Sequence, residues 1–244
     1  MRFRFKQFPT RHSFVLEAMG QTPGKLLDVG NLGDGESNCR ILKQDVESRG
    51  GEYWGLDSNE ALTKRMNLEH QIVGDLHKTE FPDNTFDTLY AGEIIEHTWT
   101  PGVMISEIHR ILKHGGILIL DTPNSFNLVH VVRFYLRRED SMGDVRVQTY
   151  HEAKNAMRSL KDRGDVLLQP QHKLFYTPAM LLQLLETHGF NVQWMGMTQK
   201  PGSWIHRLLL WLFPQGGRHL CVVAKKSTVD DAFSDVKDNT EVFA

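Results

Sequence analysis

LLDVGNLGDGES, at residues 26–37, is the stretch of sequence that decides the fold. Its apolar start is typical of a buried strand, and three closely spaced glycines, Gly30, Gly33 and Gly35, indicate a loop that needs backbone freedom. In an open parallel sheet, ligands bind in the loops outside the carboxyl ends of the strands. We therefore expect this loop to border a binding site.

Strand-like and helix-like patterns alternate outward from this stretch, as far as Pro123. Unbroken apolar runs predict strands at residues 25–29, 53–57, 70–75, 86–93 and 117–121. Apolar residues at helical spacing predict helices at residues 37–48 and 103–116, the second of which ends near Gly115. Repeated β-α units of this kind predict an α/β fold with a doubly wound, Rossmann-like parallel sheet.

The regular pattern returns near the carboxyl terminus. A helix is predicted with Thr177 as its cap, Pro178 at its first position and Gly189 at its end. Two closing strands are predicted at residues 191–196 and 219–226.

Three segments depart from the β-α pattern. Residues 124–171 are predicted to form an inserted helical lid, and the acidic tail at 228–244 is predicted to be disordered. Residues 203–213 are rich in Trp and Leu but too short to span a bilayer. For this segment we favour a helix that packs on the lid or forms a dimer contact, and the alternative is peripheral contact with a membrane or a lipid-linked acceptor. The prediction is one domain over residues 1–227, as a monomer or a homodimer.

Composition excludes several classes of protein. Lys and Arg number 28 against 30 for Asp and Glu, so no basic face for general nucleic-acid binding is expected. Cys39 and Cys221 are too few for a disulfide framework and are expected to be reduced thiols. The basic and aromatic first twelve residues lack the apolar core of a signal peptide, so a cytoplasmic location is expected.

Acidic residues stand at three successive predicted strand ends. Asp28 lies two residues before Gly30, where a carboxylate would oppose a pyrophosphate but suit an ammonium group. Asp57 ends the second strand, a position from which acids commonly bind ribose hydroxyls. Asp75 ends the third strand and could accept a hydrogen bond from an adenine amino group. Ammonium, ribose and adenine without phosphate describe S-adenosylmethionine.

Other interpretations of these residues stay open. Each acid could merely cap a helix. The chain could be an NAD-dependent oxidoreductase, although the glycine order differs from the G-x-G-x-x-G fingerprint of dinucleotide-binding loops. It could also be a module that holds S-adenosylmethionine without catalysis, a reading suggested by the irregular GNLGDG loop.

Several blocks of the sequence resemble class I S-adenosylmethionine-dependent methyltransferases, above all the ubiquinone-biosynthesis O-methyltransferase type. The most specific block is FPDNTFD…GEIIEH…EIHRILKHGGILILDTPN, within a resemblance that covers about residues 25–125 strongly and 172–225 loosely. The resemblance implies a seven-stranded sheet in which residues 219–226 insert antiparallel. It also implies methyl transfer to an oxygen of a small-molecule, lipid-linked or glycan-linked acceptor.

The resemblance also assigns roles in cofactor binding. Gly30 and its loop, with Gly33 and Gly35, would touch the methionine part, and Asp57 would bind the ribose. Asp75 and Leu76 would lie at the adenine, and Gly92 near the sulfonium. The loop departs from the family's D-x-G-x-G-x-G, because Leu32 replaces the second glycine and one extra residue precedes Gly33. Either the loop bulges by a residue or the methionine pocket is remodelled.

The segment GEIIEH contains the candidate catalytic residues. In related enzymes E-x-x-E-H supplies metal ligands, and here Glu93, Glu96 and His97, with the distant His172, have the side chains of a divalent site. On one helical turn the three neighbouring residues would reach the same side. The alternative is that Glu96 and His97 cap the next helix, and on balance we predict no metal site. The candidates for a general base are His97, His172 and, third, Glu93.

Overall fold

A computed structural model describes residues 5–32, 36–127, 174–198, 212–213 and 215–227, with only the backbone of residues 36 and 37. Its strands are β1 (Lys6–Phe8), β2 (Lys25–Val29), β3 (Glu52–Asp57), β4 (Gln71–Val73), β5 (Phe86–Gly92), β6 (Leu112–Pro123), β7 (Phe190–Thr198) and β8 (His219–Lys226). Its helices are α1 (Arg11–Met19), α2 (Glu36–Ser48), α3 (Glu60–Met66), α4 (Pro101–Ile111) and α5 (Pro178–Thr187), with a 3₁₀ turn at Ile95–His97.

All eight described strands form one sheet in the order β1-β7-β8-β6-β5-β2-β3-β4. The predicted doubly wound α/β fold is confirmed, and β8 runs antiparallel to both of its neighbours, β6 and β7. The predicted number of seven strands was wrong, because β1 adds an eighth, parallel to β7, at the edge of the sheet. The three residues of β1 are too few to show a strand period in the sequence.

Helices cover both faces of the sheet, so the core consists of two layers, one on each face. One layer holds buried residues of α4 and α5, including Ile108 and Leu185. The other layer holds buried residues of α1 and α2, including Phe14 and Val46. Because the strands are buried on both faces, they appear in the sequence as unbroken apolar runs.

One predicted helix end, that of α4, differs from the structure, whereas the end of α5 at Gly189 agrees with the prediction. Helix α4 ends at Ile111 and not near Gly115, because Leu112 is already extended and pairs with Phe86 of β5. Helix α5 ends at Thr187, and Gly189 follows its cap with a φ of 80°. At its start α5 is as predicted, since Thr177 accepts a hydrogen bond from the backbone N–H of Met180 and Pro178 is the first helical residue.

Several predictions fall on residues outside the described ranges. These are Gly33, Gly35, His172, the lid beyond residue 127, most of the segment 203–213 and the tail 228–244. Within the described residues, no helix is long and apolar enough to cross a membrane.

Candidate functional site

The loop after β2 begins with a glycine whose conformation requires glycine. Gly30 has a φ of 66°, a left-handed conformation that costs most L-residues about 1–2 kcal/mol. Its N–H donates to the carbonyl of Leu56 over 2.8 Å, which fixes the loop against the end of β3. A Cβ on Gly30 would lie 3.1 Å from Ile94 Cδ1, so the chain after β5 closes against this loop.

The two residues between Gly30 and Gly33, Asn31 and Leu32, are both buried. The Asn31 side chain donates to Tyr53 Oη over 3.1 Å and exchanges two hydrogen bonds with the Gln71 amide. Leu32 packs with Cys39 of α2 and with Met66 and Leu62 of α3. Asn31 and Leu32 thus point into the protein, where each has specific partners.

Asp28 lies on β2, with its carboxylate buried on the α1 and α2 side of the sheet. Tyr53 donates its hydroxyl hydrogen to Asp28 Oδ2 over 2.8 Å. Asp28 therefore takes part in a side-chain network that also contains Asn31 and Gln71. The network links the acid beside the loop to the strands β3 and β4.

Asp57 ends β3 and joins two neighbouring segments of backbone. Its Oδ2 accepts from the N–H of Leu32 over 3.1 Å, and its Oδ1 accepts from the N–H of Asn59 over 2.8 Å. A carboxylate offers about four acceptor positions, so each oxygen keeps capacity for a further donor. Asp57 thus lies between the glycine loop and α3 as a fixed acceptor at the strand end.

Asp75 lies two residues beyond β4 in an exposed turn. Its Oδ1 accepts from the backbone N–H of His77 over 2.9 Å and lies 2.7 Å from that residue's Nδ1. These contacts, the backbone N–H first, hold the pKa of Asp75 below its ordinary value. His77 Nε2 in turn lies 2.6 Å from Thr98 Oγ1, which ties this turn to the segment after the 3₁₀ turn. Leu76 is buried in the core.

Glu93 does not share a helical turn with Glu96 and His97, although the metal interpretation of this segment requires such a turn. Its φ is 50°, and the 3₁₀ turn begins only at Ile95. The left-handed backbone directs the side chain to Arg11 Nη1, 2.9 Å away, and to His219 Nε2, 2.8 Å away. The single helical face that the metal interpretation requires is therefore absent from these three residues.

A fully buried carboxylate lies beside Glu93. Asp121 Oδ1 is 2.8 Å from Arg11 Nε, and Asp121 Oδ2 accepts from Tyr90 Oη over 2.8 Å. Burial raises the pKa of Asp121, while the nearby guanidinium lowers it. A Cβ on Gly92 would overlap Tyr90 Oη and lie 2.7 Å from Arg11 Nη2, so any side chain at this position would displace these two groups.

Glu96 is buried, and its Oε2 accepts from Thr122 Oγ1 over 2.9 Å. Burial raises its pKa to about 8. The Tyr176 hydroxyl is also buried close by, and burial together with the charge of Glu96 raises its pKa to about 12. Within the described ranges, which exclude His172, no three His, Cys, Asp or Glu side chains are placed to hold one metal ion.

Sequence reasoning missed four residues around Glu93. Arg11, Tyr90, Asp121 and His219 come from α1, β5, β6 and β8 and meet at the carboxyl ends of the central strands. Asp121 could have been noticed, because it is the acid that ends the apolar run ILILD. Arg11 gave no signal, since it is one of several basic residues near the start of the chain.

Comparison with known proteins assigns the central part of the chain. Residues 27–120 match the family model described as a methyltransferase domain. A probable S-adenosylmethionine-dependent methyltransferase of Mycolicibacterium smegmatis is 28% identical over 75% of this chain and 59% of its own length. A sterol 24-C-methyltransferase of Gibberella zeae is 33% identical over 46% of this chain and 32% of its own. A ubiquinone biosynthesis O-methyltransferase of Pseudomonas aeruginosa is 31% identical over 48% of this chain and 51% of its own length.

This chain spans less than two thirds of the length of each of these relatives. The ubiquinone type is one distant relative among others, so the comparisons support the class and not that branch. An S-adenosylmethionine-dependent methyltransferase structure from Mesorhizobium loti superposes with a TM-score of 0.56 at 18% identity, over 86% of this chain and 95% of that one. Residues 27–120 therefore match a methyltransferase domain, and the chain has the fold of S-adenosylmethionine-dependent methyltransferases.

Proposed function

We propose that this protein transfers the methyl group of S-adenosylmethionine to an oxygen of a small-molecule, lipid-linked or glycan-linked acceptor. The observation that carries the proposal is Asp57, a fixed carboxylate at the end of β3 that backbone donors hold on both oxygens. It lies beside a glycine loop at the edge where open α/β sheets bind ligands. The methyltransferase domain match over the same strands supports this reading.

The residues present fit the cofactor part by part. Asp57 has acceptor capacity left for the two ribose hydroxyls. Gly30 has no Cβ, so its backbone would approach the methionine part closely. Its positive φ is a conformation that most other residues avoid. Asp75 is exposed in the next turn, and its Oδ1 is engaged by His77, so Oδ2 would accept from the adenine amino group. Bound there, S-adenosylmethionine would supply an electrophilic methyl group.

The acceptor class and the choice of oxygen rest on the resemblance of the E-x-x-E-H region. A general base near the reacting oxygen would raise its nucleophilicity. Glu93 is a weaker candidate than the sequence suggested, because each of its oxygens contacts a basic side chain. We therefore favour His97 or His172 as the base.

Calorimetric titration of the full chain with S-adenosylhomocysteine and with NAD tests the cofactor. We expect micromolar binding of S-adenosylhomocysteine and none of NAD, and the reverse result would favour an oxidoreductase. Incubation with methyl-labelled S-adenosylmethionine and separate pools of lipids, glycans and small polar molecules then tests the acceptor. Label in an alkali-stable ether of one pool would support O-methylation. Binding without turnover on any pool would favour a non-catalytic module.

A further inference from the structure

Five side chains from three strands, a helix and the residue that follows β5 form what we call the strand-end ion cluster. It consists of Arg11, Tyr90, Glu93, Asp121 and His219. The guanidinium contacts both carboxylates, and its Nη2 also donates to Tyr90 Oη over 3.2 Å. His219 is itself held, because its Nδ1 lies 2.8 Å from Thr198 Oγ1. The positions of these charges are therefore fixed by the fold.

The cluster lies at the carboxyl end of β5, at the same edge of the sheet as the glycine loop. Gly92, the last residue of β5, has Tyr90 and Arg11 directly beside it. Ile94, two residues further, meets the loop at Gly30. Glu93 stands between these two contacts, so its charge is next to the ligand edge of the sheet.

The two carboxylates of the cluster differ in their access to a ligand. Asp121 has no exposed side-chain surface, whereas the side chain of Glu93 is 28% exposed. Glu93 is therefore the carboxylate whose field reaches a bound molecule, and Arg11 opposes that field from 2.9 Å away.

S-adenosylmethionine carries a positive sulfonium, and its product S-adenosylhomocysteine carries a neutral thioether in the same place. A fixed carboxylate near this atom stabilises the first more than the second. Resting on the proposed function, we propose that Glu93 makes this protein prefer the cationic methyl donor over its neutral product, and that Arg11 limits the preference. Arg11 is then a positioning residue that also sets the size of the field. The N-terminal helix that carries it becomes part of the cofactor site.

Affinities of the full-length protein for S-adenosylmethionine and S-adenosylhomocysteine, measured by calorimetry at one pH, test the inference without any acceptor. The quantity compared is the ratio of the two dissociation constants, product over donor. Glu93→Gln keeps the shape of the side chain and should lower this ratio about tenfold. Arg11→Gln removes the opposing charge and should raise the ratio by about threefold to tenfold, while Arg11→Lys should leave it nearly unchanged.

The matched control is Glu17→Gln, which removes a carboxylate from α1 where it pairs with Lys6 on the surface. The ratio of its two dissociation constants should equal that of the unmodified protein.

Opposite changes of this ratio in the Glu93 and Arg11 variants would support the inference, because loss of folding cannot produce changes of opposite sign. If Glu93→Gln does not fold, Arg11→Gln decides alone, and a ratio that stays constant or falls overturns the inference. Equal losses of both affinities would overturn it too, and failure of the unmodified protein to bind either molecule would instead refute the proposed function.

Discussion

Tyr53 donates a hydrogen bond of 2.8 Å to Asp28, and so joins β3 to the acid that precedes the glycine loop. Burial, and then the charge of Asp28, raise the pKa of the phenol above its ordinary value, so it remains a donor. Asn31 donates to the same Tyr53 oxygen. The start of the loop is therefore tied to β3 by a network of buried side chains.

Tyr53→Phe should lower the free energy of unfolding by about 1–3 kcal/mol, because it removes a donor from a buried carboxylate. Urea unfolding measures the change. Tyr176→Phe is the control, since the Tyr176 hydroxyl is buried but makes no hydrogen bond to the described residues. It should change stability by less than about 0.5 kcal/mol. Equal costs at the two positions would mean that the Asp28 contact contributes nothing specific.

Asp57→Ala should weaken S-adenosylhomocysteine binding by roughly tenfold to a hundredfold, because two hydroxyls lose a charged acceptor. Stability should also fall, by about 1–3 kcal/mol, since the N–H groups of Leu32 and Asn59 lose their partner. Calorimetry below the unfolding temperature separates the two effects. Glu60→Ala, an exposed carboxylate on the adjoining α3, should leave the affinity unchanged. Unchanged affinity in Asp57→Ala would remove Asp57 from the site.

Gly30→Ala and Gly50→Ala form a matched pair, because both glycines have positive φ, of 66° and 72°. Each substitution should cost about 1–2 kcal/mol of stability through backbone strain. A Cβ on Gly50 would meet no atom within 4 Å, whereas Gly30 faces Ile94 at the candidate site. Only Gly30→Ala should therefore weaken S-adenosylhomocysteine binding. A similar loss of affinity in Gly50→Ala would show that strain alone is responsible.

Glu96 should make stability fall as pH rises. Its pKa is raised from 4.5 to about 8 in the folded protein, so between these values the native state binds one proton more than the unfolded state. The contribution to the free energy of unfolding then decreases by about 1.4 kcal/mol per pH unit, and levels off above about pH 8. Urea unfolding from pH 5 to 9 should show this slope, and Glu96→Gln should remove it. Glu80→Gln, which changes an exposed carboxylate, should keep the slope. An unaltered slope in Glu96→Gln would show that Glu96 is not its source.

Removal of divalent ions should leave S-adenosylhomocysteine affinity unchanged. Glu93 is directed to Arg11 and His219, while Glu96 is directed to Thr122, so these carboxylates do not converge. Calorimetry before and after exhaustive chelation, and after addition of Mg²⁺, Mn²⁺ or Zn²⁺, measures the effect. A loss of affinity or of methyl transfer on chelation, restored by one ion, would require a metal held with the help of His172.

The sequence alone was sufficient to predict the order of the strands from β2 onward, but it did not predict β1 or α1. Apolar runs and helical spacing are local properties, and the strands at residues 25–29 and 219–226 were predicted to the residue. The acid at the end of β3 could be predicted for the same reason, since a strand end places a side chain at the ligand edge. The antiparallel course of β8 followed from the family resemblance and not from its pattern.

Only the tertiary structure decided which side chains meet. Arg11 and Asp121 are far apart in the chain, and their contact arises because α1 packs beside the end of β6. Glu93 looked like part of a helical turn by its spacing, but a left-handed φ of 50° turns its side chain away from that face. Asn31 and Leu32 looked like irregularities until their buried partners were known. The spacing of residues along the sequence determines local geometry. Long-range packing determines which charged side chains contact one another, and the candidate site depends on that packing.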